Sequence, residues 1–244
     1  MPGISKVRSA SEDINARKEA GGGGNRYYFK LKDGETAVVR FLEDGADVAC
    51  AWVHQLPPAE GRDYGNKVPC RDQDFDTLAR GVGEACPGCE RGLKPQFQGA
   101  INLIWRDAPV LQRDEQNRVV RDANNQVVTS GSEDQLAVWV AGITVFEDLD
   151  TLDGDLNGLT SRDIKITRRG TGLNTKYTIR AASVDGGPSE MSAADKALAE
   201  EKFDLTSYAS APEYEDWGKQ QDSQGGGQQA TPQASTSPFR KPRG

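Results

Sequence analysis

One histidine and four cysteines are the side chains in this 244-residue sequence best suited to chemistry. His54, Cys70, Cys86 and Cys89 follow the spacing H-x15-C-x15-C-x2-C, with Pro87-Gly88 inside the last pair. A Pro-Gly turn sets two thiolates on one side of a tight loop, and tetrahedral zinc then needs two further donors from elsewhere. Cys50 makes five candidates for four positions. In a strand running from Val48 to His54, Cys50 and His54 point the same way but stand about 13 Å apart at roughly 3.3 Å per residue, too far to share one ion. His54 ends that strand beside Pro57-Pro58, whereas Cys50 lies mid-strand in phase with Val48 and Trp52. The assignment is therefore His54, Cys70, Cys86 and Cys89 as ligands of one structural zinc, with Cys50 a buried thiol.

Two other chemistries compete for the same residues. A redox C-x-x-C opens a helix after a strand, and nothing helical is expected after Cys89. A nucleobase deaminase pairs H-x-E with P-C-x-x-C, but here Gln55-Leu56 follows His54 and Ala85 precedes Cys86. Four protein ligands also leave no open position for water, and a zinc enzyme would have to recruit Glu60 or Glu84 as proton relay. With a single histidine, hydrolytic triads and histidine relays are hard to build. The chain is expected not to be an enzyme, its metal ordering a loop too polar to fold alone.

The elements that must position these groups are mostly strands. Apolar residues make up 36% of the chain and mean hydropathy is −0.67, so a core of limited size is flanked by solvated ends. Residues 1–24, ending in four glycines, read as a flexible arm, and 218–244, rich in Gly, Gln, Ser and Thr, as a disordered tail. Period-two alternation marks strands around 26–32, 39–41, 48–56, 100–106, 118–128, 135–145, 162–169 and 175–182. Only Met191 to Phe203 reads as a helix, capped by Ser189 or Ser192. The expected fold is mainly β: an OB-fold-like barrel over 25–189, interrupted by the zinc loop at 54–98 and followed by a helix and acidic segment at 190–217. Its compact part is expected to end near 185. No membrane-spanning run or leader pattern is present, so the reading is cytosolic, with no membrane partner.

The net charge is −7, yet residues 162–180 carry six basic side chains and one acid. Lys165 and Arg169 alternate with Ile164 and Ile166, and Lys176 and Arg180 alternate with Ile179; the Gly170 to Thr175 turn joins the two strands as a hairpin. One face is then a row of four cations. Tyr28, Lys30 and Lys32 share an exposed parity, Arg106 opposes the apolar side of its strand, and Phe97 follows Lys94 just after the metal loop. Arg40 and Trp105 complete the candidate set. Cations that track a backbone, interleaved with aromatic platforms, suit sequence-tolerant binding of single-stranded nucleic acid. No duplex-reading motif is present. A zinc-stabilised protein-interaction scaffold is the alternative.

Phe41-Leu42, Trp52-Val53-His54, Val68-Pro69-Cys70, Cys86-Pro87-Gly88-Cys89 and the stretch Ile164-Lys165-Ile166-Thr167-Arg168-Arg169 to Tyr177 together resemble the zinc-containing single-stranded DNA-binding proteins of tailed bacteriophages. The resemblance spans about residues 26–217. It implies an OB-fold whose groove, flanked by the zinc subdomain, holds single-stranded DNA, with Tyr177 and Phe97 as aromatic contacts. It further implies work in DNA replication, recombination and repair in the cytoplasm of an infected bacterial host. Self-association along DNA through an N-terminal basic arm is implied, a role that would fall to Lys6-Val7-Arg8. Recruitment of replication and recombination proteins through an acidic C-terminal segment would fall to Glu213, Glu215, Asp216 and Trp217. An acidic stretch at 190–222 folding over the basic groove would restrain binding.

Overall fold

A computed structural model describes residues 28–58, 65–116, 118–124, 126–183 and 187–217. The expected arm at 1–24, the tail at 218–244 and Glu60 lie outside the described residues. Seven strands form one antiparallel sheet: β1 (Thr36–Phe41), β2 (Ala49–Gln55), β3 (Lys67–Pro69), β4 (Gln96–Leu111), β5 (Thr129–Ala141), β6 (Ile164–Arg169) and β7 (Lys176–Ala181). Their order is β3-β2-β4-β1-β6-β7, with β5 on the other edge of β4. The fold is thus mainly β, as expected, although the sheet does not close into a barrel. Among the described residues no helix is long and apolar enough to cross a membrane.

Side-chain parity explains the layers. Val39, Phe41, Ile101, Leu103, Trp139, Ile164 and Ile166 point to one face and form the main core with Phe29 and Leu31. Segment 28–34 bridges distant parts of the sheet: the Phe29 amide donates to the Val138 carbonyl at 2.8 Å, and the Gly34 amide to that of Arg168 at 3.0 Å.

The core is capped by α2 (Ile143–Leu156), which corrects the expectation of a single helix. A short helix, α1 (Pro87–Glu90), precedes it, and α3 (Ala193–Glu200) follows. In α2, Val145 and Leu149 are buried and Leu152 and Leu156 pack beside them, a one-sided stripe at helical spacing. The acids Glu147, Asp148, Asp150, Asp153 and Asp155 mask that stripe in the sequence. Close approach seats the helix: a Cβ on Gly99 would lie 2.4 Å from the Phe146 ring, so only glycine leaves room there.

The compact part does not end near 185. Residues 187–217 form a strap across the opposite sheet face, where Ala49, Ala100 and Val138 pack with Phe203, Leu205, Tyr208 and Ala209. The strap contains α3, begun by a capping box in which Ser192 and Asp195 exchange hydrogen bonds.

The stretch 118–128 is not a strand either. Arg113 to Val120 and Arg121 to Val128 share the pattern R-D-x-x-N-x-V-V. Their described residues are paired by isolated bridges, Arg113–Val119 in the first and Arg121–Val127 in the second. Asp114 and Asp122 organise them by accepting backbone amides, from Arg118 and Gln126 at 2.8 Å in each case. The Gln112 amide donates to Val128, Val128 to Val120 and Val120 to Gln112, all at 2.9–3.0 Å, closing a ring at the tip of the β4–β5 ribbon.

Candidate metal centre and charged surface

His54 is delivered by the last turn of β2, Cys70 by the residue after β3, and Cys86 and Cys89 by the turn that becomes α1. Antiparallel pairing of His54 with Val68 brings the first two chain segments together. Gln73 fixes the loop to β2: it accepts from the Trp52 amide at 2.8 Å and donates to the Trp52 and Cys70 carbonyls at 3.0 and 2.6 Å. At 4% exposure it substitutes for a missing strand neighbour.

The four donor atoms lie within 4.8 Å of one another and could hold one metal ion. Cys70 Sγ is 3.8 Å from Cys86 Sγ and 3.6 Å from Cys89 Sγ, while His54 Nε2 is 3.5 and 3.6 Å from the sulfurs of Cys86 and Cys89. These separations exceed the roughly 2.05 Å of a disulfide, and all four cysteines are free. His54, Cys70 and Cys86 are buried and Cys89 is half-buried. Burial holds the His54 ring below its ordinary pKa, which favours the neutral imidazole that ligates metals. Burial pushes the Cys70 thiol up to about 12. It opposes ionisation of Cys86 as well, but there the amides of Cys89, Arg71 and Gly88 prevail and lower the pKa. A cation would reverse the cost of collecting these thiols in one buried place. Cys50 lies apart from the set, half-buried, its thiol raised to about 11 by desolvation.

Trp217 is the residue the sequence reading misplaced most. Expected on a partner-binding surface, it is 4% exposed and packs against Leu56, Val68, Cys70 and Cys86. Its ring meets His54 edge to face at 5.7 Å, and its indole N–H donates to the Pro69 carbonyl at 3.0 Å. Glu213, Glu215 and Asp216 remain exposed beside it. Glu84 forms an ion pair with Arg71.

The expected cation row occupies one sheet face. Lys165 stands opposite Arg180 and Arg169 opposite Lys176 on paired strands, with Thr167 and Thr178 between them. Lys165 is half-buried and the other three cations are exposed. Lys30, Lys32, Lys94 and Tyr28 are exposed too, and the Tyr28 hydroxyl bonds that of Tyr208 at 2.6 Å.

The remaining candidates do not join them. Arg40 is 2% exposed and donates to Ser189 Oγ at 3.0 Å, and to the Ser189 carbonyl. Arg106 is held by Asp195 at 2.5 Å, Asp134 at 2.6 Å and Asp163 at 3.3 Å. Both arginines are enclosed by the strap, because their strand parity turns them toward it. The aromatic candidates lie on the core side: Tyr177 packs on Trp139 at 5.3 Å, Trp105 on Phe29 at 5.0 Å, and Phe97 between Trp52 and Phe146 at 6.0 and 6.1 Å. All three are half-buried rather than free platforms. Asn102 shares the strand parity of Arg106 and also faces the strap. It is buried, donating to Glu43 at 2.9 Å and to the Phe203 carbonyl at 3.0 Å. Compared with known proteins, the chain matches no protein-family model, no curated protein and no solved structure.

Proposed function

We propose that the chain is a non-enzymatic, sequence-tolerant single-stranded DNA-binding protein whose metal loop is ordered by one structural zinc ion. The observation that carries the binding half is the paired ladder Lys165/Arg180 and Arg169/Lys176. Four cations on one face of a paired hairpin, none ion-paired with an acid among the described residues, suit a phosphodiester backbone more than a core. Thr167 and Thr178 add hydroxyl donors between the charges. The outer side of α2, which packs on β7 from the core side, is unsuitable, since it presents Glu147, Asp148, Asp150 and Asp155 to solvent.

For the metal, the donor spacing supports zinc. Zn–S bonds of about 2.3 Å and Zn–N bonds of about 2.05 Å generate tetrahedral edges of roughly 3.8 Å between sulfurs and 3.6 Å between sulfur and nitrogen. Four of the six edges run from 3.5 to 3.8 Å. A bound ion would be saturated by protein, which favours a structural over a catalytic role. Zinc would supply the folding energy of the loop; the chain's own residues would hold the strand.

An OB-like barrel is the architecture this reading favours, with segment 28–34 as the seam between β5 and β6 and α2 as the cap between them. Function in phage replication, recombination and repair, within an infected bacterial host, follows the same resemblance, as does contact with replication proteins through Glu213, Glu215 and Asp216.

The test is a fluorescence-polarisation titration of the zinc-loaded chain with labelled oligo-dT, with duplex of equal length as control. Tight binding to the single strand alone is expected. If four phosphates are neutralised, log affinity falls against log salt with a slope near −3, at about −0.7 per contact. No binding to either ligand would leave the scaffold reading in its place.

A further inference from the structure

The last described residues of the strap touch the metal loop at points that are all neighbours of ligands. Trp217 donates to the carbonyl of Pro69, one residue before Cys70. Arg71, one residue after Cys70, donates to the Pro212 carbonyl at 2.7 Å and lies 3.9 Å from Glu213. The Tyr214 hydroxyl donates to Glu90, one residue after Cys89, at 2.7 Å. Arg91 lies over the Trp217 ring at 5.9 Å. Beneath that ring sit Cys70, Cys86 and the edge of His54.

Segment 212–217 therefore docks on a surface built from the chain stretches that carry His54, Cys70, Cys86 and Cys89. We propose that Trp217 is a metal-dependent catch: metal binding builds its socket, and the docked indole in turn seals the metal centre and fastens the end of the strap. The inference rests on the metal reading of the His54–Cys89 cluster. It adds a role for a residue far from the ligands in sequence. Linkage makes the effect reciprocal, since whatever metal does for Trp217 docking, Trp217 docking does for metal retention. Loss of metal frees the strap's end without unfolding the sheet, because the strap's other anchors, Ser189 on Arg40 and Asp195 on Arg106, lie elsewhere.

The test uses the full chain loaded with zinc, its metal content measured first. In the wild type, a glutamyl-specific protease should cut slowly after the exposed Glu213 and Glu215 with zinc bound, and rapidly once a chelator strips it. The Trp217→Ala variant should be cut rapidly even with zinc bound. It should also lose zinc to a chromogenic chelator roughly ten- to a hundredfold faster, the range expected when a residue packed behind metal ligands is removed. Trp217→Phe keeps a ring but loses the bond to Pro69, and should fall between the two; it decides the matter if the alanine variant fails to show the wild-type far-ultraviolet circular dichroism. Equal cleavage of zinc-loaded and stripped wild type, or wild-type zinc retention by both variants, would overturn the catch. A wild type that takes up no zinc would overturn the metal reading itself, and the metal analysis identifies that outcome before any variant is compared.

Discussion

Replacing Gly88 by alanine is a one-atom probe of how tightly the metal centre is built. A Cβ at this position would lie 2.6 Å from His54 Cδ2, 2.7 Å from Cγ and 2.8 Å from Nε2. Ordinary contact between such atoms is about 3.5–4.0 Å, so the ring or the turn must yield by roughly 1 Å. The ring has nowhere to go: His54 is fully buried, with Trp217 against it at 5.7 Å and the sulfurs of Cys86 and Cys89 at 3.5 and 3.6 Å from Nε2. Moving Gly88 instead displaces Cys89, its neighbour. Either response opens an edge of the donor set. Overpacking of this kind costs about 1–3 kcal/mol, which at about 1.4 kcal/mol per decade lowers zinc affinity about five- to a hundredfold. Competition against a chromogenic chelator measures it. Gly154→Ala is the control: a Cβ there meets nothing within 4 Å, and in the last turn of α2 alanine should raise stability by up to about 1 kcal/mol without touching zinc. Wild-type zinc affinity in Gly88→Ala would refute the packed-ring argument.

Removing Cys70 should abolish zinc uptake, whereas Cys50→Ala should retain one zinc per chain; metal analysis of the purified variants decides between the two assignments. Asp195→Asn removes the carboxylate that chelates Arg106 and closes the capping box, and should cost about 1–3 kcal/mol in urea denaturation. The Arg106 hydrogen bond, with help from Ser192, holds the Asp195 carboxyl below the ordinary range despite burial. Its contribution is therefore complete above about pH 4 and is lost as pH falls through the depressed value, so the acid limb of the stability curve should flatten in Asp195→Asn. Asn102→Ala takes two hydrogen bonds to Glu43 down to the backbone one and strips the Phe203 contacts, and should lower the urea midpoint by a comparable amount.

Local patterns in the sequence carried the cluster of His54, Cys70, Cys86 and Cys89 and the cation row, because each depends on spacing within one element or one loop. The C-x2-C turn, the histidine at a strand end and the alternation of Lys165 and Arg169 with Ile164 and Ile166 all fall within that reach. Features set by distant chain contacts did not show. Trp217 lies far along the chain from His54, and nothing around Glu215-Asp216-Trp217 announces a buried ring. Arg40 and Arg106 have strand parities that point away from the core, which reads as exposure until the strap covers that face. Helix α2 was missed because five acids interrupt its apolar stripe. The octapeptide pattern over 113–128 was different: its repeat of Arg-Asp and Val-Val is visible in the sequence, but alternation of valines with polar residues imitates a strand.

The central claim is that the outer ladder of β6 and β7 tracks a phosphate backbone. The most direct measurement is the salt dependence of oligo-dT affinity for the wild type and for the double variant Arg169→Ala, Lys176→Ala, both zinc-loaded. Both residues are exposed, so the fold and metal content should be unchanged. Two lost phosphate contacts should reduce the slope of log affinity against log salt by about 1.4, with weaker binding at low salt. An unchanged slope and affinity would contradict the account and place any nucleic-acid contact elsewhere on the molecule.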